Sequence, residues 1–318
     1  MAANSTKSRP IPPQLVLLVG ILAASAASIF IRFAQQEAAS LVVAAYRMGV
    51  AGLVMAAIAL PSRRDELRGL SRRDLALAGL SGLFLALHFA TWIQSLAMTT
   101  VASSVVLVTT SPLWLALLAH WLLGERIRQH TAIGLGIALL GAIVVAVSDS
   151  CLQTGGGLTC PPLSEFMQGE AFVGNLVALV GALTGAGYFL IGRSLRQKLS
   201  LTSYVFLVYA SAGFILVLMV AASGLPATGF SSQTYLWLVL LGLVPQLIGH
   251  SSFNWALGQL PAAYISLPLL AEPVATTLLA IFILGEVPSG LKMAGAGLIL
   301  AGILLGNRRA RQKAAKSV

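Results

Sequence analysis

Two charged residues lie inside long apolar stretches of this 318-residue sequence and are candidates for chemistry. Glu272 directly precedes Pro273, and its carboxyl group can bind an amine or take up and release a proton. Alternatively, hydrogen bonds hold that carboxyl within helix packing, beside a backbone group that the proline leaves unpaired. Arg47 can bind a carboxylate with its planar fork, or it can reach the nearest aqueous boundary or pair with Glu37 or Glu272. Charges in apolar surroundings are costly unless they are paired, so both residues enter the candidate site.

Histidine and aromatic residues form a second group of candidates. His88 has Trp92 one helical turn further on, and His250 has Asn254 at the same spacing. Such groups suit a cavity that stacks a ring and hydrogen-bonds its polar atoms, although buried histidines bonded to neighbouring backbone or hydroxyl groups would look the same. Two tyrosines are further candidates, with ordinary packing as the alternative. The candidate binding residues are Arg47, His88, Trp92, Tyr188, His250, Asn254 and Tyr264.

The composition indicates which elements must position these residues. Apolar residues make up 57% of the chain and charged residues 9%, whereas soluble domains carry roughly 25% charged residues. Ten apolar segments are each long enough to cross a bilayer, and helices satisfy their own backbone hydrogen bonds there. The sequence therefore predicts an all-α integral membrane protein with ten transmembrane helices. The segments cover approximately residues 14–34, 41–60, 74–97, 100–123, 130–148, 171–192, 203–223, 234–258, 261–284 and 289–307.

The same arrangement of residues occurs twice, 161 positions apart, with no gap between the matched positions. The matched residues are Pro112 with Pro273, Ala102 with Ala263, Gly124-Glu125 with Gly285-Glu286, and Gly134, Gly136 and Gly141 with Gly295, Gly297 and Gly302. Each copy holds five helices, an odd number, so the second copy enters the membrane from the opposite side. The sequence thus predicts two inverted five-helix repeats, an organisation that recurs in secondary transporters.

Positive charge is concentrated on one side of the predicted bundle. Seventeen of the 20 Lys and Arg residues fall in the two terminal tails or in the loops after the second, fourth and sixth segments. Basic loops face the cytoplasm, so both termini are predicted to be cytoplasmic, with the protein in the inner (plasma) membrane. The net charge of +10 is thereby explained as topology, and no nucleic-acid partner is expected.

The loop after the fifth segment then lies outside. It has no Lys or Arg and carries the two cysteines, Cys151 and Cys160, whose spacing permits a disulfide without requiring one. The predicted boundaries are a cytoplasmic tail at 1–13, a first repeat at 14–150, the outer loop at 151–170, a second repeat at 171–307 and a basic cytoplasmic tail at 308–318.

The repeated Gly-Glu pairs favour a structural role. Glycine ends a helix without steric cost, and a glutamate just after it can lie near the N-terminus of the next helix, where negative charge is favourable. The predicted structural corners are Gly124, Glu125, Gly285 and Glu286. Chemistry is expected instead where the two copies differ, as at Glu272, whose counterpart is Ser111.

The repeated motifs also resemble a known family. The EamA group of the drug/metabolite transporter superfamily is similar in its ten helices, in Pro112 with the LLGE of residues 122–125, in Glu272-Pro273 with the LGE of residues 284–286, and in Tyr46-Arg47. The resemblance covers roughly residues 14–307. It implies export of amino acids or other small metabolites, usually driven by protons or another gradient. Relatives also carry nucleotide-sugars, phosphosugars or S-adenosylmethionine, and some are importers.

The sequence therefore predicts a secondary transporter with alternating access, not an enzyme, with proton coupling as a hypothesis motivated by Glu272 and the histidines. The alternative is an uptake carrier or exchanger for a nucleotide, nucleotide-sugar or other organic anion that uses Arg47. A membrane enzyme or scaffold would need catalytic groups clustered near one interface, and the sequence offers none. Without a nucleotide-binding loop or metal-ligand spacing, no cofactor and no metal are expected. The expected partners are a small-molecule substrate, the lipid bilayer and, if coupling holds, protons, with the protein a monomer or a homodimer.

Overall fold

A computed structural model of the protein describes residues 13–124, 127, 129–154, 157–257 and 271–306. Within these ranges, eight helical stretches are long and apolar enough to cross a membrane. Two shorter apolar helices, Ala271–Leu284 and Gly290–Gly306, coincide with the predicted ninth and tenth segments. The first part of the ninth segment, 261–270, lies outside the described residues. The membrane-spanning part of the described chain is thus all-helical, as predicted.

The helices are numbered here in chain order. The first half contains α1 (Pro13–Ser25), α2 (Ala27–Ala34), α3 (Ser40–Ser62), α4 (Arg64–Arg68), α5 (Arg72–Met98), α6 (Val101–Val108), α7 (Ser111–Leu123) and α8 (Gln129–Ser150). The second half contains α9 (Leu163–Gln168), α10 (Glu170–Leu195), α11 (Leu201–Ser223), α12 (Ser232–Leu241), a π-helical segment (Gly242–His250), α13 (Ser251–Leu257), α14 (Ala271–Leu284) and α15 (Gly290–Gly306).

Three of the predicted segments are not continuous α-helices. The first breaks at Ala26, the fourth breaks between α6 and α7, and the eighth widens into the π segment. In the fourth, the hydroxyls of Thr109 and Thr110 donate to carbonyls of the preceding turn at 2.6 and 2.7 Å, just before Pro112. Such bonds compete with the backbone ladder. In the eighth, Pro245 has no N–H with which to continue that ladder. Broken helices supply binding groups in many transporters, so these positions bear on the site.

The two halves meet most closely where α8 and α15 cross. A Cβ atom built on Gly302 would lie 2.5 Å from the Gly134 carbonyl oxygen, and one on Gly295 would lie 2.9 Å from that of Gly141. The order along one helix is reversed along the other, so the helices are antiparallel. Backbones approach this closely only where small residues face each other. The repeated glycines therefore pack against one another within the chain.

A second pair of contacts repeats in the same way. A Cβ on Gly20 in α1 would lie 2.8 Å from the Cβ of Ser252, and one on Gly181 in α10 would lie 3.2 Å from the hydroxyl of Thr91. At the offset of 161 positions, Gly20 matches Gly181 and Thr91 matches Ser252. Each half thus packs its first helix on the third helix of the other half.

One end of the bundle carries a closed loop. Cys151 and Cys160 form a disulfide with an S–S distance of 2.09 Å, and the chain between them is an antiparallel hairpin of β1 (Leu152–Thr154) and β2 (Gly157–Thr159). The all-α prediction contained no strand here, and closure of the short loop accounts for the pairing. We call this end the disulfide end, and the opposite end, with the arginine-rich loop 63–73, the basic end.

Two glutamates outside the spans bind helix N-termini. At the basic end, Glu66 accepts hydrogen bonds from the backbone and the hydroxyl of Ser200 at 2.6 and 2.7 Å. At the disulfide end, Glu37 accepts from the backbone of Ser231 at 2.7 Å. Burial alone would raise the pKa of Glu66, but the Ser200 bonds outweigh it and lower that pKa. The Ser231 backbone bond lowers the pKa of Glu37. Both glutamates are thus stabilised in their charged form by the positive end of a helix dipole.

Gly302→Ala is expected to lower the thermal unfolding midpoint, because the added methyl group would overlap the Gly134 carbonyl and push α8 and α15 apart. Overpacking of this kind costs about 1–3 kcal/mol. The matched control is Gly297→Ala on the same helix, where nothing lies within 4 Å of the new Cβ and alanine should be neutral or stabilising by up to about 1 kcal/mol. Thermal unfolding of both purified variants in detergent measures the difference. Equal midpoints would contradict the close crossing.

Candidate functional site

A cavity of about 90 Å³ lies between the two halves of the described chain. Its walls come from α5, α6 and α7 of the first half and from α10, the π segment and helices α13–α15 of the second. The residues that line it are His88, Trp92, Val108, Thr109, Ser111, Pro112, Phe189, His250, Phe253, Glu272 and Ile303. A mostly apolar wall with a few convergent polar groups is the usual form of a small-molecule site.

The cavity brings together four of the residues predicted from the sequence: His88, Trp92, His250 and Glu272. It also places Ser111 in the same wall as Glu272. Both members of this repeat-equivalent pair, one charged and one neutral, therefore line the same cavity. The cavity combines one carboxyl group and two imidazoles with aromatic surface.

The two histidines are joined by an aromatic ring. Phe89 packs edge-on against both, with ring centroids 4.8 Å from His88 and 5.4 Å from His250. Nδ1 of His88 lies 2.8 Å from the carbonyl oxygen of Gly181. Because a carbonyl can only accept, Nδ1 carries the proton, and in the neutral ring Nε2 remains an acceptor. His88 is thus hydrogen-bonded to the backbone, which is one of the two alternatives predicted from the sequence. It also lines the cavity.

Arg47 is fully buried beside the cavity. Its Nε donates to Oε1 of Gln246 at 2.9 Å, and its guanidinium carbon lies 4.1 Å from the ring centre of Phe89 and 5.5 Å from that of Trp92. The two expected alternatives of reaching the aqueous boundary and pairing with Glu37 are wrong, because the side chain is enclosed and Glu37 binds the α12 N-terminus instead. Glu272, the remaining alternative partner, lines the cavity beside which Arg47 lies.

Two of the predicted binding residues bond to each other. The hydroxyl of Tyr188 donates to Oδ1 of Asn254 at 2.8 Å, and Nδ2 of Asn254 donates to the hydroxyl of Tyr209 at 3.4 Å. All three side chains are buried. This chain ties α10, α13 and α11 together beside the cavity, and neither Tyr188 nor Asn254 is among the lining residues. The structure therefore favours packing for this pair.

The predicted corners at Gly124 and Gly285 both end a helix in the left-handed conformation, with φ of 67° and 69°. Glycine adopts it without strain. Glu286 does not bind the next helix as expected. Its carboxylate accepts from Arg32 at 2.9 Å and from the backbone of Val101 at 2.8 Å, because the turn directs it toward the start of α6. Predictions for Glu125 and Tyr264 fall outside the described residues.

Three residues at or beside the cavity were not predicted from the sequence: Gln246, Phe89 and Thr109. Gln246 follows Pro245 within an otherwise apolar segment, and a buried polar residue next to a helix-breaking proline was the signal that could have identified it. Phe89 and Thr109 carried no comparable signal, since phenylalanine and threonine are common in packed helices. In the described ranges, no group of three His, Cys, Asp or Glu side chains is placed to hold a metal ion.

Comparison with known proteins identifies the family. The EamA-like transporter family matches this chain twice, over residues 12–147 and 172–308, and the chain belongs to that family. A protein of Streptantibioticus cattleyicolor described as a "probable terminal-alkyne amino-acid exporter" is 28% identical over 83% of this chain and 82% of its own length. An uncharacterized transporter of Archaeoglobus fulgidus is 26% identical over 75% of this chain and 78% of its own.

The fold is also similar to that of a solved crystal structure. The similarity covers 94% of this chain and 98% of the other, with a TM-score of 0.62 and 20% sequence identity. At this identity the likeness concerns the fold alone. Together with the family match, it defines the chain as a multi-pass membrane transporter.

Tyr188→Phe and Asn254→Ala are expected to be coupled in a double-mutant cycle, because each variant removes one side of the same buried hydrogen bond. Interhelical bonds in membrane proteins contribute about 0.6–1.7 kcal/mol. Unfolding free energies of the two single variants and the double variant in detergent supply the cycle. Strictly additive effects would show that this bond contributes nothing.

Proposed function

We propose that this protein is a secondary transporter that exports amino acids or related small metabolites by alternating access. The observation that carries the proposal is the cavity between the two halves, in which Glu272 and two histidines interrupt an apolar and aromatic wall. Ionisable groups at this depth usually serve substrate or ion pathways. The Streptantibioticus relative, described as a probable exporter of a terminal-alkyne amino acid, supports both an amino-acid substrate and export.

The arrangement of ten helices as two inverted five-helix repeats, at 14–150 and 171–307, is part of the proposal. It is supported by reciprocal contacts at the crossing of α8 and α15, where each glycine contacts the repeat equivalent of the other glycine on its own helix. Gly134 contacts Gly302 and Gly141 contacts Gly295, while at the repeat offset Gly134 corresponds to Gly295 and Gly141 to Gly302. Such reciprocal contacts are typical of a two-fold axis. Since the crossing helices are antiparallel, that axis lies across them, in the membrane plane.

The orientation is inferred from the loops. The arginine-rich basic end is proposed to face the cytoplasm with both termini, following the distribution of positive charge. The disulfide between Cys151 and Cys160 lies at the other end, where an oxidising exterior would preserve it.

The cavity volume of about 90 Å³ is below the roughly 300–1,000 Å³ typical of small-molecule sites. We infer that substrate enters when the lining helices separate, as alternating access requires. The alternative, an uptake carrier or exchanger for a nucleotide, a nucleotide-sugar or another organic anion, rests on Arg47. A nucleotide or nucleotide-sugar would require the lining helices to separate further than an amino acid does. Transport assays with both substrate classes distinguish the amino-acid exporter from this alternative.

Glu272→Gln is expected to abolish substrate flux driven by a pH gradient, because the amide cannot take up a proton. In proteoliposomes, the variant should move amino acids under an imposed pH gradient no faster than empty vesicles do. Exchange of substrate against substrate without a gradient should persist when it is measured at saturating substrate, because exchange needs no proton and saturation compensates for a weaker contact with the substrate amine.

The control is Glu165→Gln, which removes an exposed carboxyl in the disulfide-end loop and should leave both fluxes unchanged. If Glu272→Gln retains gradient-driven flux at the wild-type rate, Glu272 has no part in coupling.

A further inference from the structure

Unpaired hydrogen-bond donors are concentrated around Arg47. Both terminal nitrogens of its guanidinium, Nε2 of Gln246 and Nε1 of Trp92 are buried and have no hydrogen-bond partner among the described residues. The exposed fraction is 0% for Arg47 and Gln246 and 4% for Trp92. Buried donors are normally bonded, and four unpaired ones together form a region that lacks only an acceptor.

The geometry keeps these donors available. Gln246 uses its Oε1 to accept from Arg47 Nε, which leaves Nε2 of the same amide free to donate. Phe89 lies against one face of the guanidinium, so the edge with the two terminal nitrogens is where a ligand can bond. Trp92, which also lines the cavity, connects this cluster to the proposed substrate site.

We propose that Arg47 and Gln246 form a carboxylate subsite, in which the acid group of the substrate accepts hydrogen bonds from the Arg47 terminal nitrogens and the Gln246 amide. An arginine fork matches a carboxylate in shape and charge. Glu272, which lines the cavity, is then placed to face the ammonium group. The substrate class is then a zwitterionic amino acid with an apolar or aromatic side chain, facing Phe189 and Phe253. This inference rests on the proposed function.

The test compares amino acids with their amides, which keep the side chain and lose the charged acid group. Binding of each of the twenty common amino acids and its amide to the purified protein in lipid nanodiscs is measured by calorimetry. For the acids that bind, the wild type should prefer the acid by about tenfold or more, as expected for a charge-assisted hydrogen bond. Gln246→Glu should remove that preference, because the new carboxylate pairs with Arg47 and occupies its donors.

Gln246→Glu is nearly isosteric and supplies a partner for a buried charge, so it should fold at least as well as the wild type. Gln168→Glu, at an exposed position in α9, is the matched control and should keep the preference. If acids bind but Gln246→Glu still prefers them, the subsite is wrong and the proposed function stands. If the wild type binds no amino acid, the proposed amino-acid function fails as well.

An independent observation concerns the disulfide end, where a second set of buried charges is fully engaged. Lys292 and Asp149 form an ion pair at 2.6 Å with side chains that are 8% and 2% exposed. The Asp149 carboxylate also accepts from three neighbours, Asn175 at 2.8 Å, Ser103 at 2.9 Å and Thr99 at 3.3 Å. These contacts join α8 and the start of α6 in the first half to α10 and α15 in the second.

This ion pair has no counterpart in the other repeat. At the offset of 161 positions, Lys292 corresponds to Thr131 and Asp149 to Ala310. The neighbouring pair of Arg32 and Glu286, at 2.9 Å, differs in this respect, because the sequence has an arginine and a glutamate at both equivalent positions. If the two states of an inverted-repeat transporter exchange the roles of its ends, the Lys292 pair strengthens closure at the disulfide end only.

We infer that Asp149 and Lys292 act as a latch that keeps the disulfide end closed and favours the state open toward the basic end. This inference rests on the proposed alternating access. Removing both charges leaves no unpaired ion in the interior, so the fold should survive while the attraction between the halves is lost. The double variant Asp149→Asn/Lys292→Met is therefore the informative one.

The latch is tested with a cysteine reporter, Thr109→Cys, in the cavity wall. The native cysteines are joined in the disulfide and should not react. A membrane-impermeant maleimide is applied to vesicles from the disulfide side. The double variant should label several-fold faster than the reporter alone, because the disulfide end opens more often.

The matched control is Asp74→Asn, which breaks an ion pair with Lys198 near the basic end, whose side chains are 15% and 59% exposed. It should leave labelling from the disulfide side unchanged. If the double variant labels at the rate of the reporter alone, the latch is wrong. Slower labelling of the double variant from the basic side, measured without substrate, would support the latch further. In alternating access, opening of one end accompanies closing of the other.

Discussion

The backbone contact between α8 and α15 is the constraint on which the rest of the structure depends. Gly134 and Gly302 allow the backbones of the two helices to touch, and Gly141 and Gly295 repeat the contact about two helical turns away. Apolar side chains gain little from each other in lipid, so close backbone packing must supply the attachment. With this crossing fixed, the remaining helices of the two halves are left to surround the cavity. Under the proposed alternating access, this crossing would stay fixed while the helices that line the cavity separate.

The cost of burying polar groups separates two regions of the protein. At the disulfide end, Asp149 receives four partners, including the Lys292 ammonium, which is the condition under which a buried charge is tolerated. Beside the cavity, Arg47 has one hydrogen-bonded nitrogen and two without partners. An enclosed cation with free donors costs stability, and binding of an acceptor would recover that cost. This difference is the basis for proposing a conformational latch in the first region and a ligand subsite in the second.

The sequence was sufficient for the helical fold because apolar length decides where helices cross a membrane, and the sharp ends at Gly124 and Gly285 follow from the glycine conformation. It also singled out four residues that line the cavity, His88, Trp92, His250 and Glu272, since polar and aromatic groups stand out within aliphatic segments. It did not anticipate the π segment, because a proline such as Pro245 signals a disturbed ladder without specifying how the chain accommodates it. Pairings such as that of Lys292 with Asp149 join residues 143 positions apart, and only packing determines them.

Two helices connect the cavity to the disulfide end. The helix α6 begins at Val101, whose backbone donates to Glu286, and ends at Val108, which lines the cavity. The helix α14 has Glu272 near its start in the cavity wall and ends at Leu284, one residue before the Gly285 turn that positions Glu286. An eight-residue helix such as α6 is only about 12 Å long and moves as a rigid unit. A displacement at the cavity end of either helix therefore changes the geometry around Glu286. We infer that, under the proposed alternating access, these two helices couple occupancy of the site to closure of the disulfide end.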